Sequence, residues 1–298
     1  MGFNARLGEV AEATERHLTA LMADAGPAPG RLAEAMRYAV LGGGKRLRPF
    51  LVVESAKLFD VPPETALRVG AALECIHCYS LVHDDLPAMD NDELRRGRPT
   101  VWKAYDDWTA ILSGDGLLTL AFEALTAPGL NISDAQRVAL IAGLAKASGW
   151  QGMVGGQVVD LMSDKLGDPP EPDFAHVQQL QSMKTGALIL YAAEAGAILG
   201  EATADERLAL TTYGTAIGFA FQIADDLLDK EGDAARMGKA ARKDSAAGKA
   251  TLVDLLGVDE ARAALNEALS AAHDALAPFG AGAATLKAAA DFIAKRDH

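Results

Sequence analysis

The stretch that decides the fold is "TALRVGAALECIHCYSLVHDD", residues 65–85. Its apolar residues continue for several helical turns without the strict alternation of a half-buried strand. The run ends in Asp84 and Asp85, and Pro87 follows, which cannot continue a helix. The stretch therefore predicts a buried helix with two carboxylates at its C-terminal end.

The same kind of segment recurs along the chain, separated by short breaks of glycine and proline. "RLAEAMRYAVL" stops at three glycines, Pro49 is predicted to open the helix "PFLVVESAKLF", and Ser133 with Gln136 predicts a capping box. "TTYGTAIGFAFQIADDLLD", residues 211–229, is predicted to be a long helix that also ends in acid. Because strand-like alternation is nearly absent, we expect an all-α, single-domain bundle of roughly ten or more helices over residues 1–298.

Bulk composition narrows the functional classes. The formal net charge of −13 disfavours nucleic acid and anionic membranes as partners, because both would be repelled. No run of 18 apolar residues occurs, so we expect no membrane span. The first ten residues, "MGFNARLGEV", lack the apolar core of a signal peptide, and the default expectation is a cytoplasmic protein.

Two cysteines, Cys75 and Cys78, form a C-x-x-C pair within the helix predicted for residues 65–85. Such a pair can mean thiol redox chemistry or half of a zinc site. No second cysteine pair exists to complete a zinc site, and no alternation of strands and helices surrounds the pair. We therefore interpret both as small buried apolar residues.

Two acidic clusters about 140 residues apart are the main candidate site. By the sequence pattern both end apolar helices, where the helix dipole disfavours negative charge by roughly 0.3–1 kcal/mol for each exposed group. They can be solvated helix ends, but a multivalent cation would compensate this cost better. Mg²⁺ prefers oxygen ligands and is usually held by one or two carboxylates plus substrate phosphates. The clusters contain Asp84, Asp85 and Asp90, and Asp225, Asp226 and Asp229.

Basic residues near these clusters could bind the phosphates. "GGGKRLRP" lacks the spacing of a nucleotide-binding P-loop, but a glycine-rich turn before a helix suits an anion. Arg95 and Arg96 follow the first cluster and could bind phosphate bidentately. Singly each residue can be an ordinary surface charge, whereas together they predict two anionic substrates. The remaining candidates are Lys184 and Thr185 in "KTGA", and Lys239, Lys243 and Lys249 in the polar segment 231–249.

These motifs resemble those of one family, the trans-type prenyl diphosphate synthases, and among them the bacterial short-chain farnesyl and geranyl type. "GGGKRLRP", "HDDLPAMDND", "LRRGRPT", "GGQVVD", "KTGAL", "FQIADDLLD" and "GKAT" occur in the family's order and approximate spacing. The resemblance covers essentially the whole chain. It implies the isoprenoid synthase fold, with helices around a deep central cavity, and a homodimer.

The resemblance also implies the role of each residue. Three Mg²⁺ ions, with Mn²⁺ as an alternative, would be held by Asp84, Asp85, Asp90, Asp225 and Asp229, with Asp226 completing the second motif. The allylic diphosphate, dimethylallyl or geranyl, would contact Arg95, Lys184, Thr185, Gln222, Lys239 and Lys249, where Lys243 could replace Lys239. The diphosphate of isopentenyl diphosphate would be bound by Lys45, Arg48, His77 and Arg96.

The implied reaction forms an allylic carbocation that isopentenyl diphosphate attacks. Tyr79 lies five residues, or about 7.5 Å, before Asp84, and in similar enzymes an aromatic residue at this place goes with a 15-carbon product. Tyr79 and the adjacent Ser80 are therefore the predicted chain-length residues, although Tyr79 can also be ordinary core packing. The alternatives are a synthase of the 20-carbon product, a terpene cyclase on the same fold, a catalytically silent partner subunit, and a non-enzymatic Mg²⁺-binding scaffold.

Overall fold

The computed structural model describes residues 2–24, 28–236 and 251–295, and these residues are overwhelmingly helical. The predicted all-α class is confirmed. The helices are α1 (Phe3–Asp24), α2 (Gly30–Val40), α3 (Leu47–Lys57), α4 (Pro63–Asp84), α5 (Val101–Ala104), α6 (Asp107–Thr126), α7 (Asp134–Ser148), α8 (Met153–Leu161), α9 (Phe174–Gln181), α10 (Ala187–Leu199), α11 (Ala204–Arg236), α12 (Leu252–Leu256), α13 (Val258–Ala275) and α14 (Ala284–Ala294). Two π-helical turns, Met162–Leu166 and Ser182–Gly186, and a 3₁₀ segment, Ala277–Ala283, join some of them.

The chain forms two compact units. The first comprises residues Met1–Ala142 and Ile198–Glu201, and the second comprises Gly143–Ala197 and Ala202–His298. The expectation of a single domain over residues 1–298 stays a prediction. None of the described helices combines the length and apolar character that a membrane crossing requires.

Helix α4 is the centre of the first unit. It packs against α1, α3 and α6, and nearly every residue from Thr65 to Val82 is buried at least in part. Contact on several sides explains why its sequence is apolar all round rather than along one stripe. Cys75 and Cys78 are free, buried thiols, as predicted. Burial raises the pKa of Cys78 to about 12, so its thiol stays protonated and unreactive near neutral pH.

Helix α11 is the longest element of the second unit. It packs against α13 and α14, and its buried Tyr213 donates a 2.7 Å hydrogen bond to the carbonyl oxygen of Leu286 on α14. The prediction that this helix ends at Asp229 is wrong, because α11 continues to Arg236. The residues that follow Asp229 include lysine, alanine and arginine, which favour helix, and no proline interrupts them. The second acidic cluster therefore lies within a helix, and the dipole argument applies to the first cluster alone.

The other predictions of local structure were partly correct. The capping box at α7 is confirmed, since Ser133 N–H donates to Gln136 Oε1 at 2.8 Å and Gln136 N–H donates to Ser133 Oγ at 3.2 Å. Helix α3 begins at Leu47, two residues before the predicted start at Pro49. The described residues also contain one small antiparallel hairpin, β1 (Leu94–Arg95) and β2 (Arg98–Pro99), which the helical pattern did not predict.

Candidate active site

The loop after α4 folds back over the end of that helix. The backbone N–H of Asp90 donates to the carbonyl oxygen of Asp84 at 2.9 Å, and that of Asp92 donates to Asp85 at 3.1 Å. These bonds pair carbonyl groups that a helix end leaves without partners. The backbone of Asp90 therefore lies beside Asp84, and the predicted return of Asp90 after Pro87 is confirmed.

Asp85 of the first motif is held by an arginine. Its side chain is buried, and both carboxylate oxygens accept hydrogen bonds from Arg95, from Nε at 2.8 and 3.0 Å and from Nη2 at 2.6 Å. Burial raises the pKa of Asp85 in spite of this partner. Asp85 and Arg95, predicted as a metal ligand and a phosphate ligand, are thus bound to each other.

The hairpin that follows carries Arg95 and Arg96 in adjacent positions. Its two turn residues, Arg96 and Gly97, have φ angles of 53° and 74°, and a two-residue hairpin turn with both φ positive matches the right-handed twist of strands. Arg96 points away from its own hairpin: its guanidinium donates to the carbonyl oxygen of Gly43. The hairpin and the loop "GGGKRLRP" therefore form one surface.

Gly44 in that loop has a φ of +132°, and a β-carbon there would lie 2.5 Å from Arg96 Nη1. A side chain cannot occupy this position without moving the arginine. Glycine at position 44 is thus explained by the close approach of Arg96, which the sequence alone did not indicate.

His77 and Arg48 are in contact, and the positive charges of Arg48 and Arg96 both act on His77. Arg48 Nη1 lies 3.4 Å from His77 Nε2. Burial, followed by the positive charges of Arg48 and Arg96, lowers the pKa of His77 well below its ordinary value. His77 is therefore neutral near pH 7, and Nε2 can accept a hydrogen bond from Arg48. Lys45 is exposed on the adjoining loop.

Arg46, between these residues in sequence, has a different role. Its side chain is fully buried, and it donates to Glu74 Oε1 at 2.7 Å and to the carbonyl oxygen of Val40 at 2.5 Å. A buried arginine with these partners fixes the loop to α2 and α4. The anion site predicted for "GGGKRLRP" included Arg46, but the side chain of this residue is bound within the protein instead.

The second acidic motif lies on α11 in the other unit. Asp225 and Asp229 are one helical turn apart and share a face with Gln222. Asp226, the residue after Asp225, is hydrogen-bonded to two other segments: it accepts from Gln181 Nε2 at 3.2 Å and from the backbone N–H of Leu252 at 2.9 Å. Burial, with a further contribution from Asp225 and Asp229, raises the pKa of Asp226 to about 6.

Lys184 and Thr185 lie in the π-helical turn Ser182–Gly186. Such turns occur often at functional sites, because the wide turn displaces side chains from helical register. Lys184 Nζ donates to Asp160 Oδ2 at 2.6 Å, and Asp160 is buried on α8. A β-carbon on Gly156, also on α8, would lie only 2.6 Å from the Cα of Lys184. The hydrogen bond to Asp160 and the close packing against Gly156 thus fix the position of Lys184.

Comparison with known proteins adds the deciding observation. The family model described as polyprenyl synthetase matches residues 29–277. The chain belongs to the polyprenyl synthetase family. A farnesyl diphosphate synthase from Haemophilus influenzae is 44% identical over 269 residues, which cover 89% of this chain and 88% of the relative. A chloroplastic geranylgeranyl pyrophosphate synthase from Catharanthus roseus is 40% identical over 91% of this chain and 75% of the relative.

Solved structures agree with this assignment. The crystal structure of an FPP/GFPP synthase from Zymomonas mobilis, without ligand, matches with a TM-score of 0.86 and 44% identity over 98% of both chains. This polyprenyl synthetase therefore has the isoprenoid synthase fold that the resemblance implied, and it is a transferase.

The donor set of this polyprenyl synthetase fits Mg²⁺ bound together with a phosphate. Within the described ranges, no three histidine, cysteine or acidic side chains are grouped closely enough to hold a metal ion alone. Paired carboxylates without a complete cage are the usual arrangement for Mg²⁺, which takes its remaining ligands from water and substrate phosphates. The ligand assignments stay predictions.

The predicted chain-length residues lie on α4. Tyr79 is buried, its ring packs edge-on against His83 with centroids 5.8 Å apart, and burial raises the pKa of its hydroxyl to about 12. Ser80 Oγ donates to the carbonyl oxygen of His77 at 2.8 Å, so its hydroxyl is bound to its own helix. The role of both residues in product length stays a prediction.

Two residues that contact the predicted site were not predicted from the sequence, and three predicted lysines lie outside the described residues. Asp160 was missed, although it closes the motif "GGQVVD" four residues after Gly156 and so shares its helix face. Gln181 was missed because nothing in the sequence links it to Asp226. Lys239, Lys243 and Lys249 lie outside the described residues.

Proposed function

We propose that this polyprenyl synthetase is a Mg²⁺-dependent farnesyl diphosphate synthase. It would join isopentenyl diphosphate to dimethylallyl or geranyl diphosphate and release pyrophosphate. The observation that carries the proposal is the joining of Arg96 to the Gly43 carbonyl, close to the Arg95–Asp85 pair. That link brings two basic segments and an acidic motif together, as the binding of a metal and diphosphates requires. The similar farnesyl diphosphate synthases support the same assignment.

The basic residues of the first unit would bind isopentenyl diphosphate. Arg48 and Arg96 supply planar guanidinium groups that can pair with phosphate oxygens, and Lys45 supplies an exposed point charge. His77, neutral among these cations, can donate or accept a hydrogen bond without adding charge. On binding, the phosphate would replace the carbonyl oxygen of Gly43 as the partner of Arg96.

The allylic diphosphate would be bound through both acidic motifs. Asp84, Asp90, Asp225 and Asp229 would hold Mg²⁺, with Asp85 released from Arg95 or shared with it. Mg²⁺ held by these carboxylates would supply positive charge that stabilises the departing pyrophosphate. Arg95, Lys184, Thr185, Gln222 and lysines of the 231–249 segment, Lys249 with Lys239 or Lys243, would contact the same group.

The chain's own contribution is positioning and electrostatic stabilisation. When the allylic carbon–oxygen bond breaks, its electron pair leaves with pyrophosphate, and preorganised cations such as Lys184 stabilise that charge. The double bond of isopentenyl diphosphate then attacks the cation, and a proton passes to pyrophosphate. Apolar residues must exclude water from the cation, and the buried side chains of α4 suit that task.

Product length is the finer part of the proposal. A bulky Tyr79 favours a 15-carbon product, whereas a 20-carbon product is the alternative, because a geranylgeranyl pyrophosphate synthase is also similar. We further propose a cytoplasmic homodimer, as the family resemblance implies. Light scattering of the purified chain and cell fractionation test those two points.

Pyrophosphate release in a matched set of incubations tests the function. The enzyme is supplied with Mg²⁺ and isopentenyl diphosphate, together with dimethylallyl or geranyl diphosphate, and products are separated by chromatography. We expect release that needs both substrates and stops when a chelator removes Mg²⁺. Release from the allylic substrate alone would indicate a terpene cyclase, and no release with either starter would contradict the proposal.

A further inference from the structure

The hairpin β1–β2, which carries Arg95 and Arg96, needs support from outside itself. Each of its strands has two residues, and a two-stranded hairpin is at best marginally stable in water without further packing. Two of its attachments use these arginines. Arg95 is bound to Asp85 at the end of α4, and Arg96 donates to the carbonyl oxygen of Gly43. A further attachment, to α2, uses neither of them.

Tyr38 on α2 makes this further attachment. Its hydroxyl donates a 2.7 Å hydrogen bond to the carbonyl oxygen of Pro99 on β2. The guanidinium carbon of Arg98, also on β2, lies 4.4 Å from the centre of the Tyr38 ring, within the roughly 6 Å over which a cation is attracted to an aromatic face. Tyr105 packs edge-on against the same ring, with centroids 5.8 Å apart. Tyr38 therefore joins the hairpin to α2 at two adjacent residues.

The contact with Tyr38 also gives Arg98 a partner of its own. Arg98 lies opposite Arg95 in the strand register, and like charges directly opposite each other destabilise a strand pair. Arg95 is drawn to Asp85, whereas Arg98 is drawn to the ring of Tyr38. The main chain leaves room for this arrangement, because a β-carbon on Gly42 would lie 3.3 Å from Arg98 Nη1. The two charges are thus directed to separate helices.

The attachment to Tyr38 differs from the other two in its relation to substrate. Under the proposed function, phosphate replaces Gly43 as the partner of Arg96, and Asp85 is released from Arg95 or shared with it. Both of those attachments therefore weaken when substrate binds. The contact with Tyr38 contains no residue proposed to bind metal or phosphate, so substrate does not compete with it.

We propose that Tyr38 is a positioning residue for both diphosphate substrates: it holds the hairpin on α2 while Arg95 and Arg96 exchange their protein partners for phosphate. Arg98, stacked on the Tyr38 ring, belongs to this attachment and is not a phosphate ligand. The effect on substrate binding rests on the proposed function, whereas the attachment of the hairpin to α2 does not.

Two substitutions separate the hydroxyl of Tyr38 from its ring. Tyr38→Phe removes the donor to Pro99 and keeps the ring under Arg98, whereas Tyr38→Leu removes both. Because Pro99 is exposed, water can bind its carbonyl in these variants, and we expect Tm of Tyr38→Phe to fall by no more than about 3 °C. Tyr105→Phe is the matched control, since Tyr105 contacts Tyr38 through its ring.

Steady-state kinetics of these variants in the full chain test the positioning role. We expect KM for both diphosphates to rise roughly threefold in Tyr38→Phe and roughly tenfold in Tyr38→Leu, with a smaller change in kcat. A residue that only stabilises the fold would lower the amount of active enzyme, and with it the apparent kcat, but would leave KM unchanged. Tyr105→Phe should keep parental values. Parental KM values in Tyr38→Leu would overturn the proposal.

Arg98→Gln tests whether this arginine binds phosphate. Glutamine keeps a planar group without the charge, so loss of the stacking alone should raise KM by roughly twofold. The double variant with Tyr38→Leu should match Tyr38→Leu alone, because both substitutions remove the same contact. An increase of about tenfold in Arg98→Gln that multiplies with the effect of Tyr38→Leu would make Arg98 a phosphate ligand, and the proposal would be wrong.

Amide hydrogen exchange of the hairpin tests the attachment without turnover. The N–H of Thr100 donates to the carbonyl oxygen of Glu93 at 3.0 Å, so its protection reports whether the hairpin is formed. We expect exchange in Tyr38→Leu to be several-fold faster than in the parent and in Tyr105→Phe. Equal rates would show that the hairpin does not depend on Tyr38. If the parent has no synthase activity, the proposed function fails, while this measurement still tests the attachment.

Discussion

The guanidinium of Arg96 donates a hydrogen bond to the carbonyl oxygen of Gly43, 53 residues earlier in the chain. Two basic segments that look independent in the sequence are therefore one structural unit. Gly44, next to that carbonyl, leaves room for the arginine. The arginine proposed to bind phosphate is thus held in place by the main chain of the glycine-rich loop.

Gly44→Ala should weaken binding of isopentenyl diphosphate. Its β-carbon would lie 2.5 Å from Arg96 Nη1, and its φ of +132° is unfavourable for alanine. We expect a loss of about 1–3 kcal/mol in stability and an increase in KM of roughly tenfold. Gly43→Ala is the matched control, because it also has a positive φ but no atom lies within 4 Å of its β-carbon. Equal KM values in the two variants would show that displacement of Arg96 does not matter.

Gly156→Ala should disturb the turn that carries Lys184. The new methyl group would lie 2.6 Å from the Cα of Lys184, a backbone atom that cannot rotate away. We expect a loss of roughly 1–3 kcal/mol in the free energy of unfolding, measured with denaturant, and a lower kcat. Gly186→Ala, in the π-helical turn itself, is the control because its nearest contact is an ordinary 3.6 Å. A fully stable Gly156→Ala would contradict the close packing described above.

His77 should make stability fall in acid. Its folded pKa is well below the ordinary value of 6.5, so as the pH drops the unfolded chain takes up the proton first. The contribution of neutral His77 is therefore complete above about pH 6.5 and decreases by about 1.4 kcal/mol per pH unit below it. Unfolding free energies of the parent and of His77→Gln between pH 8 and pH 5 check this. The difference between them should change with pH in that direction, and a constant difference would show that His77 is not perturbed.

Tyr79→Ala should lengthen the product. Removing a buried ring next to His83 opens space on the α4 surface, so chromatography should show products of 20 carbons or more. A cost of about 3–5 kcal/mol in stability is expected for an aromatic side chain removed from a core. Tyr105→Ala, a less buried tyrosine of the same unit, should leave product length unchanged. An unaltered distribution in Tyr79→Ala would show that another residue limits the chain.

Asp84→Ala and Asp225→Ala should each lose activity without unfolding. Loss of a metal ligand should lower kcat by roughly a hundredfold or more, with Tm in the absence of Mg²⁺ close to that of the parent. Asp274→Ala, an exposed aspartate near the end of α13, is the control for removal of a negative charge. If either variant is strongly destabilised but retains its activity, that aspartate has a structural role instead.

The sequence predicted the helical class and the return of Asp90 because both depend on local rules, apolar periodicity and the proline that ends α4. It placed the end of α11 wrongly, since a cluster of aspartates resembles a helix terminus although no proline lies between Asp229 and Arg236. Which of three adjacent carboxylates meets Gln181 and Leu252 depends on tertiary packing, which no spacing in the motif records.

The Arg96–Gly43 contact also bears on how the site can be transplanted or recognised in other chains. Its acceptor belongs to the main chain, so no exchange of side chain at position 43 can remove it or compensate for its loss. Correlated substitutions at positions 43 and 96 in related sequences would therefore not reveal this contact. An engineer who grafts the hairpin onto another scaffold must copy the backbone path of residues 42–44 as well.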